Sequence, residues 1–217
     1  MQIPIEEGII LYLILLCSLS IHEWAHAWTA QKLGDDTARL LGRVTLNPIA
    51  HMDLFGTLVF PLLMIFGGVP LIGWGKPVPV NVRNLRQPVR DHILVVIAGP
   101  LSNLVLLLAT CLIVGLYLRF LGDGAVSEIP MPLMAILQIN VILTLFNLIP
   151  IPPLDGSHLL RYAIGMTHET FMKFSQWGFV VLMVLLFLTP FGVLFRDVIN
   201  WGLISSLRFI GLIAGIS

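Results

Sequence analysis

Apolar runs of about 18 residues or more recur along the chain, and each is long enough to cross a bilayer core, which takes roughly 20 helical residues at about 1.5 Å of rise apiece. Residues 8–33, 91–121, 131–151 and 174–194 read on this basis as membrane helices. A further stretch, 198–216, is interrupted by Asn200 and Arg208 and either spans or lies in the interface as an amphipathic helix. Residues 54–72 are apolar too, yet Pro61, Gly67, Gly68 and Pro70 break them. After them, residues 73–81 alternate small or polar residues with valines and carry two prolines, which suits an edge strand or hairpin better than a helix. An exposed edge can pair with another chain, although a turn-rich connector fits the same residues.

Charge orients these elements. Lys32, Arg39, Arg43, Lys76, Arg83, Arg86 and Arg90 all fall at the end of the first span or between it and the second, whereas residues 122–130 carry Asp123 and Glu128 and no base. The positive-inside rule then puts residues 34–90 on the cytoplasmic side and 122–130 outside. On that assignment 54–72 dips into the membrane and returns, although a pair of short tilted helices is the alternative. Irregular backbone at membrane depth is tolerated only where it lines a protein cavity, so the re-entrant reading predicts a polar site nearby.

Composition agrees with a lipid setting: of 217 residues, 57% are hydrophobic and 11% charged, far from the balance of a soluble domain. A net charge of zero with no basic cluster gives no surface for nucleic acid. Cys17 and Cys111 both lie inside apolar runs, which suggests neither a disulfide framework nor a thiolate metal site. Glu6 and Glu7 stand where a secretory signal would need positive charge, so the first apolar stretch is expected to remain as a membrane helix. No internal repeat or low-complexity linker divides the chain. The expected fold is an all-α polytopic membrane protein, a single membrane-embedded domain over residues 1–217, with four to six membrane helices, a re-entrant segment and a short membrane-associated β-hairpin or edge strand.

At the cytoplasmic end of the first span the sequence reads His22-Glu23-Trp24-Ala25-His26. On a helix at about 100° per residue the two histidines stand about 40° apart, and Glu23 shares their face. Two imidazoles one turn apart can hold one Zn²⁺, and the carboxylate beside them can accept a proton from water at the metal. A purely structural pairing of His22 with Glu23 is the bland reading. It is disfavoured because ionisable groups in a membrane helix are costly to bury without a function.

Catalytic zinc needs a third protein ligand and one open position. Asp155 follows Pro150, Pro152 and Pro153 at the cytoplasmic end of the third span, at the same depth as His22 and His26. Prolines there release backbone groups that only a polar cavity or neighbouring protein can satisfy. Asp155 can instead act as the N-cap of the helix that follows.

The pentapeptide His22–His26, together with Leu154-Asp155-Gly156, resembles the site-2 protease family of intramembrane zinc metalloproteases. Residues 47–57, Gly75-Lys-Pro-Val-Pro-Val-Asn81 and Ala98-Gly-Pro-Leu-Ser-Asn103 extend the similarity over about residues 20–160. The chain is similar to compact prokaryotic members without PDZ or CBS domains. The resemblance implies one zinc per chain held by His22, His26 and Asp155, with Glu23 as general base and Asn147 holding the substrate carbonyl. It also implies that Gly73, Gly75, Lys76, Val78 and Val80 meet an extended substrate. The expected partners are membrane-spanning protein substrates and the lipid bilayer, and the expected location is a prokaryotic cell membrane with the active site towards the cytoplasm.

Other polar residues carry weaker signals. His51 and Asp53 form a second His–carboxylate pair and read as loop residues before the re-entrant segment, His51 alternatively as a group behind the metal ligands. His158 sits near a helix N-terminus that disfavours its charge, and His92 and His168 read as interface residues. Asn103 is a buried amide that demands partners, and reads as structural or as support for a ligand. The rival function from another class is a divalent-metal transporter, since His and Asp within spans also mark ion pathways. It leaves Glu23 and the adjoining edge unexplained, and the chain lacks the inverted repeat of broken helices common in transporters. A non-catalytic scaffold leaves the metal motif unexplained altogether.

Overall fold

The computed structural model describes residues 4–62, 73–121 and 129–215, all as helices joined by irregular backbone. Helix α1 (Ile5–Lys32) starts with Glu6 and Glu7 and ends with Lys32, each charge matching the helix dipole at its end. It is followed by α2 (Thr37–Leu40), α3 (Pro88–Phe120), α4 (Met131–Asn147), α5 (Gly156–Ala163), α6 (His168–Leu188) and α7 (Pro190–Ala214). Helices α1, α3, α6 and α7 are long and apolar enough to cross a membrane, so the chain is a multi-pass membrane protein. Helix α4, where the span 131–151 is expected, ends at Asn147 and has 17 residues, the short end of the range for a crossing. Many of the chain's large apolar side chains, among them Leu13, Leu112, Ile113 and Phe187, stay exposed on the outside of the bundle, as lipid-facing positions should.

Helix α3 is the hub, packing on α1, α4 and α7. Leu107, Val114 and Leu118 interlock with Leu137 and Val141 of α4 and Ile210 of α7, while Leu15 and Leu19 of α1 meet Ile139 and Leu143 of α4. The irregular stretch 148–155 is held by Ile149, Ile151 and Leu154 packing against Leu182 of α6. This places α1, α3 and the start of α5 around one point.

The expected span 174–194 needs revision. It crosses a helix boundary: Thr189 caps α7 by accepting from the Phe191 N–H, and Pro190 takes the first helical position. The apolar run continues through this junction, so hydropathy does not register it. Of the stretch 198–216, residues 198–214 lie in α7, a helix of 25 residues long and apolar enough to cross, in keeping with the spanning alternative.

Residues 73–81 form no strand. Pro77 and Pro79 remove alternate donors, and four of the remaining N–H groups, those of Trp74, Lys76, Val78 and Asn81, are taken by other parts of the chain. Trp74 N–H donates to the Gly56 carbonyl and Lys76 N–H to that of His51. Of the segment expected to re-enter, a π-helical stretch Leu54–Val59 capped by Asp53 is seen, while 63–72 lie outside the described residues, as do 122–128 of the expected outer loop.

Two glycine turns aim buried charges at this segment. Gly34 (φ 113°) closes α1, with Asp35 N–H on the Ala30 carbonyl and Gly34 N–H on that of Gln31; Gly42 (φ 68°) closes α2 in the same way, with Arg43 N–H on Ala38 and Gly42 N–H on Arg39. The carboxylate of Asp35, fully buried, accepts from Thr37, from the Asn81 N–H and from Asn84 Nδ2. Burial pushes its pKa up, but these bonds outweigh burial and hold it below the usual carboxylate range. Arg43, read from sequence only as a loop cation, is 7% exposed.

Candidate functional site

His22 and His26 project from one face of α1 into the junction with α3 and α5, and both are buried. Their Nε2 atoms lie 3.0 Å apart. Asp155 Oδ2 lies 3.1 Å from the first and 3.3 Å from the second. Among the described residues these three form the group able to hold a metal ion, with ligand atoms within 4.8 Å of one another. Asp155 occupies the N-cap position of α5 but makes no capping bond with its side chain. Its carboxylate is directed to the imidazoles.

The other ring nitrogens define what the Nε2 atoms can do. His22 Nδ1 lies 2.7 Å from Asn103 Oδ1, and His26 Nδ1 lies 2.7 Å from the Val95 carbonyl. With an acceptor opposite each, both Nδ1 atoms act as donors, which leaves the Nε2 lone pairs of the neutral rings facing each other and the carboxylate. Three acceptors about 3 Å apart repel unless a cation lies among them. Tetrahedral zinc, with bonds of roughly 2.0–2.1 Å, sets its ligand atoms about 3.3–3.4 Å apart, so this donor set fits zinc with small adjustments.

Asn103 is itself fixed. Its Nδ2 donates to Asn140 Oδ1 at 2.9 Å and to the Ser18 carbonyl at 3.3 Å, and Asn140 Nδ2 donates to Ser18 Oγ and the Ile136 carbonyl. Both amides are fully buried, and the chain of bonds determines which end of Asn103 faces His22. Sequence reading singled out Asn103 but missed Asn140, although a second amide in an apolar span carries the same signal. Gly99, one turn before Asn103, leaves space for both rings: a Cβ there would lie 2.3 Å from His26 Nε2 and 2.6 Å from His22 Cε1.

Glu23 is 9% exposed, and its Oε2 accepts the Val78 N–H at 3.0 Å. Lys76 and Val78 therefore lie beside Glu23 rather than on an open edge. Gly73 packs against the Gly56 carbonyl, and Val80 is half-buried. Asn147 donates from Nδ2 to the Leu143 carbonyl of its own helix at 3.0 Å. His51, expected as a loop residue, is 1% exposed; its Nε2 bonds the Thr45 carbonyl and its own carbonyl receives the Lys76 N–H. His92, expected at an interface, is buried, with Nδ1 2.7 Å from the Tyr162 hydroxyl and its ring against His158. His168 is exposed at the start of α6.

A membrane bundle that converges two imidazoles and a carboxylate on one point, with a second carboxylate alongside, is the architecture of a membrane metalloenzyme. The model of peptidase family M50 matches residues 10–122 and 114–189. The chain belongs to that family, and it is a zinc metallopeptidase. It is 39% identical over 191 residues to the "Putative zinc metalloprotease YwhC" of Bacillus subtilis (strain 168), covering 84% of this chain and 81% of that one. It is 32% identical over 189 residues to the "Putative zinc metalloprotease Rip2" of Mycolicibacterium smegmatis, covering 86% of this chain and 70% of that one. No solved structure matches the chain.

Proposed function

We propose that the chain hydrolyses peptide bonds of membrane-spanning proteins within or at the edge of the bilayer, as one membrane-embedded domain of a prokaryotic cell membrane with its site towards the cytoplasm. The observation that carries this reading is the convergence of Asp155, at 3.1–3.3 Å, on His22 and His26 of a helix long enough to cross the membrane. In this reading those three residues hold one zinc, which when bound acts as a Lewis acid and lowers the pKa of water to about 7.

The chain's own groups do the rest. Asn103 and the Val95 carbonyl orient the imidazoles, and Glu23 accepts the proton of the attacking water and returns it to the leaving amine. Asn147 exchanges its bond to Leu143 for the substrate carbonyl. A helical substrate hides its carbonyls in its own hydrogen bonds, so the scissile stretch unwinds, and Gly73, Gly75, Lys76, Val78 and Val80 line its extended backbone.

Two measurements test this. Metal analysis should find about one zinc per purified chain, and His22→Ala, His26→Ala and Asp155→Ala should each lose most of it. Full zinc in the Asp155 variant would remove Asp155 from the ligand set. A single-pass membrane protein reconstituted with the enzyme in vesicles should be cut within or at the end of its apolar segment, with cleavage blocked by a chelator. Cuts confined to its water-exposed domains would overturn the intramembrane assignment.

A further inference from the structure

Arg43 is a buried cation that neither the metal cluster nor the helix packing explains. Its Nη2 donates to the Lys76 carbonyl at 2.7 Å and to the Pro77 carbonyl at 3.2 Å. The next residue, Val78, gives its N–H to Glu23 Oε2 at 3.0 Å. Because residues 77 and 79 are both proline, Val78 carries the single backbone N–H between Lys76 and Val80. The prolines also bias Lys76 and Val78 towards extended backbone, so the segment has little freedom to supply another donor. Around it, Lys76 N–H is fixed to His51 and Asn81 N–H to Asp35. The strap is thus tied at both ends and in the middle, and the tie in the middle is the one adjoining the donor to Glu23. A side chain at position 75 would meet Glu23 Oε1 at 3.4 Å, so the strap also lies directly on that carboxylate.

We propose that Arg43 is a positioning residue for the reaction, holding the Lys76–Pro77 carbonyls so that the Val78 N–H fixes one oxygen of Glu23 and leaves the other to take the proton. Charge-assisted bonds to two successive carbonyls set both the position and the tilt of the peptide plane between Pro77 and Val78. A carboxylate with one oxygen so fixed cannot rotate away on its flexible stem, and displacements of about 1 Å at a reacting group cost on the order of 100-fold in rate. The inference rests on Glu23 as the general base.

The test compares full-length wild type, Arg43→Gln, Arg43→Lys, Val78→Pro and Glu23→Gln in detergent, with labelled casein as an unfolded protein probe. Zinc content, deuterium exchange and steady-state rates are measured on each. Arg43→Gln should keep its zinc, exchange the amides of residues 76–81 about tenfold faster, and lose roughly 10- to 100-fold in kcat with KM within about twofold. Arg43→Lys, whose ammonium can reach one of the two carbonyls, should fall between. Val78→Pro removes the donor while leaving Arg43 in place, so it should reproduce the kcat loss even if Arg43→Gln folds poorly. Unchanged exchange and kcat in a folded, zinc-bound Arg43→Gln would overturn the proposal whatever Val78→Pro does, as would a raised KM at normal kcat, which would assign the strap to substrate docking alone. If Glu23→Gln cleaves like wild type, the assignment of the base has failed; if it is inactive while Arg43→Gln and Val78→Pro are normal, only the positioning role has failed.

Discussion

Replacing Glu23 with glutamine is expected to leave zinc content and thermal stability near wild type and to lower the cleavage rate by roughly 10²- to 10⁴-fold, the range that a positioned general base contributes. The amide is nearly isosteric, and its oxygen can still accept the Val78 N–H that Oε2 accepts now. Glu23 stands outside the His22–His26–Asp155 cluster, so its loss should not release the metal. What the variant lacks is a group able to take a proton. Steady-state rates and metal analysis on one preparation check this, and a variant within tenfold of the wild-type rate would assign the proton transfer to another residue. Glu23→Asp is a useful companion, because retracting the carboxylate by one methylene keeps the base but breaks its bond to the strap.

Gly99→Ala should act directly on the two imidazoles, because the nearest atoms to an added methyl there belong to His26 and His22. The new Cβ would lie 2.3 Å from His26 Nε2, a distance at which either α3 or the ring must move. Moving the rings breaks the bonds of Nδ1 to Asn103 and to the Val95 carbonyl, which orient them. Zinc occupancy should fall from about one to well below half, with at least a 100-fold loss of activity, since disturbing the groups behind metal ligands alone typically costs 10- to 100-fold in affinity. Gly115→Ala is the control, because it presses on Ile213 of α7 at 2.7 Å in a packing contact between α3 and α7. It should lower the midpoint of thermal unfolding while the folded molecules keep their zinc. Equal zinc loss in both variants would mean that the effect at Gly99 is a general failure of packing.

The features legible in the sequence are those set by neighbours along the chain. Apolar runs long enough to cross a bilayer identify α1 and α3 because backbone groups in lipid must be satisfied within the segment. The convergence of His22 with His26 follows from helix periodicity alone, and the prolines after Asn147 announce the end of α4. The junction at Thr189 and Pro190 was also locally encoded, by a capping residue and a proline, but a long apolar run masks such a signal. What only the tertiary structure decided are the partners that carry no local mark. The Val95 carbonyl that orients His26 is a backbone atom, identical in every residue, and nothing in the sequence separates it from its neighbours. Asn140 is marked in the sequence as an amide within an apolar span, but its partner is not: only the packing of α4 on α3 sets it against Asn103. Arg43 looked like one of several cytoplasmic cations, because whether a guanidinium is solvated depends on distant segments folding over it, here residues 76 and 77. The same holds for the expected edge strand, several of whose backbone groups are engaged by Glu23, Asp35, Arg43 and the carbonyls of His51 and Gly56, a competition that alternation and proline content cannot reveal.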